Sequence, residues 1–347
     1  MREKLVPHLK LRNFGYELFK TVGVSRKIST LVVNGLVDTS LRGVDSHGIR
    51  LIPHYIRATQ RGRIKKNPKF IFTKTAPSCG IFDADDGFGI AAGIEAMMKA
   101  TMLAKKTGLG AVSVRNSSHF GAAAIYTLLA AKKNMIGFAF TNVDSLVVPY
   151  GGRKPYLGTN PISFAAPMTG EEPLCLDMAT SQISWNKILV YKSKKKALDF
   201  GWAVDKNGKI TTDPMKAVGL YPIGGYKGYG LALAIEILCS LLSGMPYGRK
   251  IVPMYPLTNK KRRLGHFFMA IDISRYIRLE IFKRSLRDLC DALRKKSVAS
   301  NDQRVMVAGD PEKEVYKIRI KTGIPISNFD YQEFKKLISQ YNIKFSL

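Results

Sequence analysis

Apolar residues recur at helical spacing near both ends of this chain, and the stretch between those ends has a different texture. Near the N-terminus, Ile28, Leu31, Val32, Leu36 and Val37 fall on one helical face that Ser25 can cap and Gly43 can stop. A second helix is expected to start at Asp45 or Ser46 and run to about Arg61, before Gly62 and Pro68 break the pattern. Toward the C-terminus, Tyr276, Leu279, Phe282, Leu286, Leu289 and Leu293 repeat at three or four, and a further helix is expected from Tyr331 on. Between about residues 70 and 270, short β-prone runs (111–114, 136–141, 162–165) alternate with small-residue helices over 122–132 and 231–242, the latter expected to be buried and to end at Gly244. The pattern predicts an α/β (α+β) chain, with a sheet-containing middle and helices from both termini packed together. The expected divisions are 1–68 (helical N-terminal part), 69–273 (sheet-containing domain) and 274–347 (C-terminal helices returning to the N-terminal part).

Composition narrows the class of partner. At 46% apolar and 23% charged over 347 residues, the chain has ample material for a core and is not a disordered one. Its net charge of +29 raises nucleic acid or an anionic membrane as partners. The basicity is uneven, however. Residues 111–180 carry five basic and four acidic side chains, while 181–300 carry 23 and eight. The clusters Lys194-Lys195-Lys196 and Lys260-Lys261-Arg262-Arg263 lack the interleaved aromatics that stack on bases. A basic nucleic-acid-binding protein is therefore the out-of-class alternative, and neither nucleic acid nor membrane is expected as a partner. The longest apolar run, 231–242, is interrupted by Glu236 and is too short to span a bilayer. Cys79, Cys175, Cys239 and Cys290 are scattered, which fits a reducing compartment. The opening Met1-Arg2-Glu3-Lys4 has no signal-peptide pattern. A cytoplasmic location is expected.

Five segments carry chemistry. In Asp45-Ser46-His47-Gly48-Ile49-Arg50, with His54 beyond, a helix would place His47, Arg50 and His54 on one face and Ile49, Ile52, Tyr55 and Ile56 on the other. Arg50 could then hold a carboxylate while His47, kept neutral by the start of the helix, exchanges a hydroxyl proton. That suits a 2-oxo or 2-hydroxy acid, and it also fits a solvated polar face. In Asn116-Ser117-Ser118-His119-Phe120-Gly121, amides at the helix start that follows could bind cofactor oxygens, or His119 could be a packing residue. Gly87-Phe88-Gly89-Ile90-Ala91-Ala92 matches the dinucleotide fingerprint G-x-G-x-x-A but reads as a decoy. Asp83, Asp85 and Asp86 precede it, and between Glu95 and Asp144 there is no acid to take a ribose hydroxyl. Gly224-Gly225-Tyr226-Lys227-Gly228 suits close backbone approach to a ligand or a flexible turn, and Gly228 stands where a Walker loop needs Ser or Thr. Gly158-Thr159-Asn160-Pro161 and Leu176-Asp177-Met178-Ala179-Thr180-Ser181 flank β-prone runs with small polar groups. The five histidines show no zinc spacing and there is no G-x-S-x-G, so no metal site is expected.

Taken in order, Leu41–Gly48, Asn116–Gly121, Pro149-Tyr150-Gly151-Gly152, Leu157–Pro161, Leu176–Ser181, Lys227-Gly228-Tyr229-Gly230 and Gly265-His266-Phe267-Phe268 resemble the malate/L-lactate dehydrogenase family that is unrelated to the Rossmann enzymes of the same names. The resemblance spans nearly the whole chain. It implies an NAD- or NADP-dependent oxidoreductase with a mixed, largely antiparallel sheet and a helical part built from both termini. It also implies a homodimer acting on a small anionic 2-oxo or 2-hydroxy acid, with cyclic-imine reduction on the same fold as the alternative. Carried over by motif, His47 resembles the main proton donor and His119 the second active-site histidine. Arg50 corresponds to the carboxylate anchor, although relatives often place it one residue later, at Leu51 here. Ser46 accompanies them. Cofactor contacts are implied for Thr141, Asn160, Asp177, Met178, Ala179, Thr180, Ser181, Lys227, Gly228, Gly309 and Asp310. Asn186 and Asp310 depart from the family's usual Gly and Glu.

Overall fold

The structure is a computed structural model and describes residues 3–296 and 304–345; Met1 and Arg2, read above for a leader, lie outside the described residues. Helix α1 (His8–Thr21) buries Leu11, Phe14, Leu18 and Phe19 against α2 (Arg26–Leu41). Ser25 caps α2 as its sequence predicts, its hydroxyl accepting from the Ile28 amide at 3.4 Å.

The expected continuous helix over 45–61 does not form. Two 3₁₀ turns, Asp45–His47 and Ile49–Leu51, precede α3 (Ile52–Gln60). The break has a tertiary cause. Gly48 is extended (φ −94°, ψ −148°) and lies so close to the Ser40 side chain that a Cβ would collide with it, while the Ser40 hydroxyl accepts from the Ile49 amide at 2.9 Å. Asp45 does not cap a helix but binds Arg319 through both carboxylate oxygens, at 2.6 and 2.9 Å.

The middle of the chain forms a seven-stranded mixed sheet. Its strands are β1 (Ile71–Ala76), β2 (Cys79–Asp83), β3 (Leu109–Ser117), β4 (Met135–Thr141), β5 (Ile162–Ala166), β6 (Leu174–Met178) and β7 (Leu264–Asp272). Their spatial order is β1-β2-β3-β7-β4-β5-β6, and only the β2–β3 pair is parallel. This is the mixed, largely antiparallel sheet that the resemblance implies. Helix α4 (Gly89–Thr107) lies on β3 and β7, and α5 (Ala124–Lys132) lies on β4 and β5. One apolar core runs from α1–α3 through α4 to the sheet.

Gly87 and Gly89 of the fingerprint-like segment serve close packing and hydrogen bonding within the protein. Gly89 opens α4 with its Cα against the carbonyls of Ser118 and His119, where a side chain would not fit. The Ser118 hydroxyl accepts from the Gly89 amide at 3.0 Å and donates to the Gly87 carbonyl at 2.8 Å. The decoy therefore fastens the His119 segment to α4.

Beyond the sheet, α6 (Trp185–Ser193) and three short strands (Ala203–Val204, Ile210–Thr211, Gly219–Leu220) form a small lobe. Helix α7 (Tyr226–Glu236) runs into a π turn, Ile237–Leu241. This segment is not buried all round: Ala232, Ile235 and Cys239 face the core, whereas Leu233, Ile237, Leu241 and Leu242 are exposed on the single chain. Helix α8 (Leu279–Arg294) lies at the β6 edge, where Arg294 meets Glu171 at 2.7 Å. Then α9 (Asp310–Thr322) and α10 (Asn328–Gln340) return to the N-terminal helices. Lys4–Val6 pairs antiparallel with Ile324–Ile326, and Phe334 packs on Phe14 with ring centroids 5.1 Å apart. Among the described residues no helix is long and apolar enough to cross a membrane.

Candidate active site

The two histidines singled out by motif arrive from different layers. His47 ends the first 3₁₀ turn after α2, and His119 sits in the loop after β3. Their rings stack with centroids 5.7 Å apart and planes 24° apart. The segment around His119 is set by Asn116 at φ +52°, Gly121 at φ +73° and Phe120, whose ring stacks on His266 at 4.8 Å. His266 is itself fixed at both ring nitrogens, by Thr141 Oγ1 at 2.7 Å and Ser117 Oγ at 2.7 Å.

Both site imidazoles are held neutral at neutral pH. Desolvation pushes His47 below its ordinary value and the positive charge of Arg50 pushes it further. Desolvation pushes His119 well below, with smaller contributions from His47, Arg262, His54 and His266. The Ser46 hydroxyl lies 2.9 Å from His47 Nδ1, and the Tyr55 hydroxyl lies 2.8 Å from His119 Nδ1. Arg50 is half-exposed and 3.9 Å from Asp330, so its guanidinium retains capacity for an anion. The continuous helix does not form, but the 3₁₀ turns and the start of α3 still bring His47, Arg50 and His54 to one cleft, with Ser46 beside them.

That cleft has a volume of about 1510 Å³. Ser46, His47, Arg50, His119, Asp177, Met178, Ala179 and Gly309 all line it. Asp177 also accepts from the Ala124 amide at 2.8 Å, so this α5 helix-start donor is taken by protein rather than left for a cofactor oxygen. Desolvation by the surrounding walls pushes the Asp177 carboxyl up to about 6, against the Ala124 and Ala123 amides that favour its charge.

Thr159 and Pro161 of the same motifs line the cleft as well, but the remaining predicted cofactor contacts do not. Thr141 is buried and committed to His266. Asn160 is fully buried and donates to Glu236 at 2.7 Å and to the Ala232 carbonyl at 3.0 Å. Thr180 bonds the Thr159 carbonyl at 2.9 Å and Ser181 the Ile183 carbonyl at 2.8 Å. Lys227 stands in the first turn of α7, and Gly228 packs on the Ile223 carbonyl. Asp310 turns to Arg294 at 2.6 Å and to the Val307 amide at 3.1 Å. Asn186 does line the cleft, beside Trp185.

Residue-by-residue reading missed Tyr55, Arg262 and Tyr255. Helical spacing puts Tyr55 on the face away from the histidines, yet its hydroxyl reaches His119. Arg262, within the basic run 260–263, is 3% exposed and paired with Asp144, another cleft residue. Tyr255 packs on His54 at 5.3 Å. No periodicity signals these three, because long-range packing places them.

The architecture is a mixed α/β enzyme fold, distinct from the doubly wound parallel sheet that binds dinucleotides elsewhere. The family described as malate/L-lactate dehydrogenase matches residues 6–335. A malate dehydrogenase from Pyrococcus horikoshii is 35% identical over 349 residues, covering 98% of this chain and 96% of its own length. A ureidoglycolate dehydrogenase (NAD(+)) from Escherichia coli O157:H7 is 33% identical over 310 residues, 89% of each chain. The crystal structure of malate dehydrogenase from Entamoeba histolytica superposes with a TM-score of 0.94 at 32% identity, covering 100% of both chains. The chain belongs to the malate/L-lactate dehydrogenase family.

Proposed function

We propose that this chain is an NAD- or NADP-dependent oxidoreductase that moves a hydride between nicotinamide and C2 of a small anionic 2-oxo or 2-hydroxy acid. One observation carries the reading: two neutral, stacked imidazoles and an under-compensated guanidinium meet in one cleft. The cleft also fits a dinucleotide. It exceeds the roughly 300–1,000 Å³ of ordinary ligand pockets, it combines apolar wall (Ile125, Leu128, Met178) with Lys132 and Lys133, and Gly309 presents bare backbone beside Cys175. Asp177, Met178, Ala179 and Gly309 would hold it. Thr141, Asn160, Thr180, Ser181, Lys227, Gly228 and Asp310 would act by supporting those walls.

The reduced nicotinamide, when bound, supplies a hydride to the C2 carbonyl carbon. The carbonyl π pair then moves onto oxygen, and this oxygen takes a proton from the His47 imidazolium. In the reverse direction neutral His47 takes the hydroxyl proton. Arg50 binds the substrate carboxylate, which fixes C2 and also favours the protonated His47 needed for reduction. A panel of 2-oxo acids and one cyclic 2-imino acid, followed by nicotinamide absorbance with each cofactor, tests the reading. Turnover of a 2-oxo acid is expected; turnover of the imine alone would replace the substrate class.

The homodimer is proposed from the exposed Leu233, Ile237, Leu241 and Leu242, an apolar face that a second copy would cover. Sedimentation should give twice the chain mass. The cytoplasmic location is proposed from the four free cysteines and is testable by cell fractionation. The divisions at 1–68, 69–273 and 274–347 are proposed as well, and limited proteolysis should cut near those boundaries first.

A further inference from the structure

We propose that Tyr55 fixes the tautomer of His119, making His119 a permanent N–H donor to the substrate oxygen and leaving proton exchange to His47. The second half of this inference rests on the hydride-transfer reading above; the first half does not.

The argument starts from what the Tyr55 hydroxyl can bond to. Tyr55 is fully buried in α3, with its ring near Phe88. Burial pushes the phenol far above its ordinary range, so the oxygen keeps its proton. That proton has one close acceptor, His119 Nδ1 at 2.8 Å; the His119 carbonyl is at 3.5 Å, the limit of a hydrogen bond. With Tyr55 donating to Nδ1, the ring proton of neutral His119 must sit on Nε2. The opposite tautomer would have Nδ1–H donate to the phenol and leave the phenol's own buried proton on the long contact. A buried donor so poorly satisfied disfavours that state roughly tenfold or more.

His47 is bonded differently. Its Nδ1 faces Ser46, which is partly exposed and whose hydroxyl can rotate to accept as readily as to donate. When Ser46 accepts from Nδ1–H, the Nε2 lone pair of His47 is free to take a proton. His119 has no such state, since its Nε2 already carries hydrogen and its Nδ1 lone pair is occupied. The charged and titratable groups acting on His119 are His47, Arg262, His54 and His266, and all of them disfavour its imidazolium. So the two stacked rings divide the work. His119 stabilises negative charge growing on the substrate oxygen through a fixed N–H, and His47 gives and takes the proton. Tyr55 acts through His119 and is a positioning residue.

The test is nitrogen NMR of the full-length protein with ¹⁵N-labelled histidine, with the His119 ring assigned by its loss in His119→Gln. In the wild type, His119 should show a protonated Nε2 and a bare Nδ1 throughout about pH 6 to 9. In Tyr55→Phe the same ring should become a tautomer mixture and should titrate at higher pH, because a hydrogen bond to its neutral form has gone. Kinetically, Tyr55→Phe should lower kcat about tenfold with the acid limb of the kcat/KM profile unmoved. That limb should vanish in His47→Gln and persist in His119→Gln. A wild-type His119 protonated on Nδ1, or a Tyr55→Phe spectrum identical to wild type, overturns the tautomer lock. An acid limb lost with His119 and kept without His47 overturns the division of labour. The wild-type spectrum needs no substrate. Failure of every 2-oxo acid to turn over would therefore remove the function reading while leaving the tautomer assignment standing.

Discussion

His47 and His119 lie in separate turns, one after α2 and one after β3, yet their rings stack at 5.7 Å with planes 24° apart. Their functions should separate under mutation. His47→Gln should lower kcat about 10²–10⁴-fold, the usual contribution of a general acid or base. Binding of the reduced cofactor, read by fluorescence titration, should change little in the same variant. Unchanged turnover would remove His47 from the proton path.

Arg50 acts on the same ring through its charge. Because desolvation and Arg50 both lower the His47 pKa, the base form persists at neutral pH, and kcat/KM for hydroxy-acid oxidation should fall only below the ordinary histidine value of 6.5. In Arg50→Gln the lost positive charge lets His47 protonate more readily, so the acid limb should move to higher pH. KM for the acid should rise about 10- to 100-fold, the worth of one charged hydrogen bond. A full pH profile of this variant checks both effects. An unmoved limb would separate the two residues.

Two other histidines link stability to acid. His54 and His266 are buried and neutral, with pKa values lowered mainly by desolvation to about 4 and about 3. The unfolded chain binds these protons near 6.5, so between that pH and the folded values it carries more protons than the folded state. The stability these two groups contribute should therefore be level above about 6.5 and fall as pH drops below it, with His54 alone accounting for about 3 kcal/mol by pH 4. Urea midpoints measured across this range should show the slope, and His54→Phe should make it shallower. Asp177, whose carboxyl is held up at about 6, works in the opposite direction below that pH, so the comparison of variants decides: a slope unchanged in His54→Phe would contradict the buried neutral state.

Asn160 is read here as scaffold rather than cofactor ligand. Its amide holds Glu236, the Ala232 carbonyl and, at 3.3 Å, the Val143 amide. Asn160→Ala leaves buried partners unsatisfied and should cost about 1–3 kcal/mol, visible as a lower Tm. Cofactor Kd, measured below the transition, should stay within about twofold. A large loss of cofactor affinity in a folded variant would return Asn160 to the binding wall.

Much of the fold was legible because it is local. Ser25 sits where a cap is needed, and the strand and small-residue helix runs alternate as the sheet and its covering helices do. The failed fingerprint was legible too, since its flanking acids forbid a pyrophosphate. The region 45–61 was not, because Gly48 yields to Ser40 from a neighbouring helix and periodicity cannot see that neighbour. The same error sent Tyr55 to the wrong face. Helix α7 read as buried because it is apolar almost all round, and only the sheet decides which side faces inward. Thr141, Asn160 and Asp310 sit near the site in sequence motifs, yet their side chains turn to His266, Glu236 and Arg294, partners supplied by distant segments.

The central claim is hydride transfer between nicotinamide and C2 at the His47–His119 cleft. Reduced cofactor carrying deuterium at nicotinamide C4 on the transferred face, incubated with a 2-oxo acid that turns over, tests it directly. Mass spectrometry should find one deuterium on C2 of the hydroxy-acid product, and His47→Gln should transfer it about 10²–10⁴-fold more slowly than the wild type. Product without deuterium from either C4 face, or equal deuterium transfer by wild type and His47→Gln, would contradict the account.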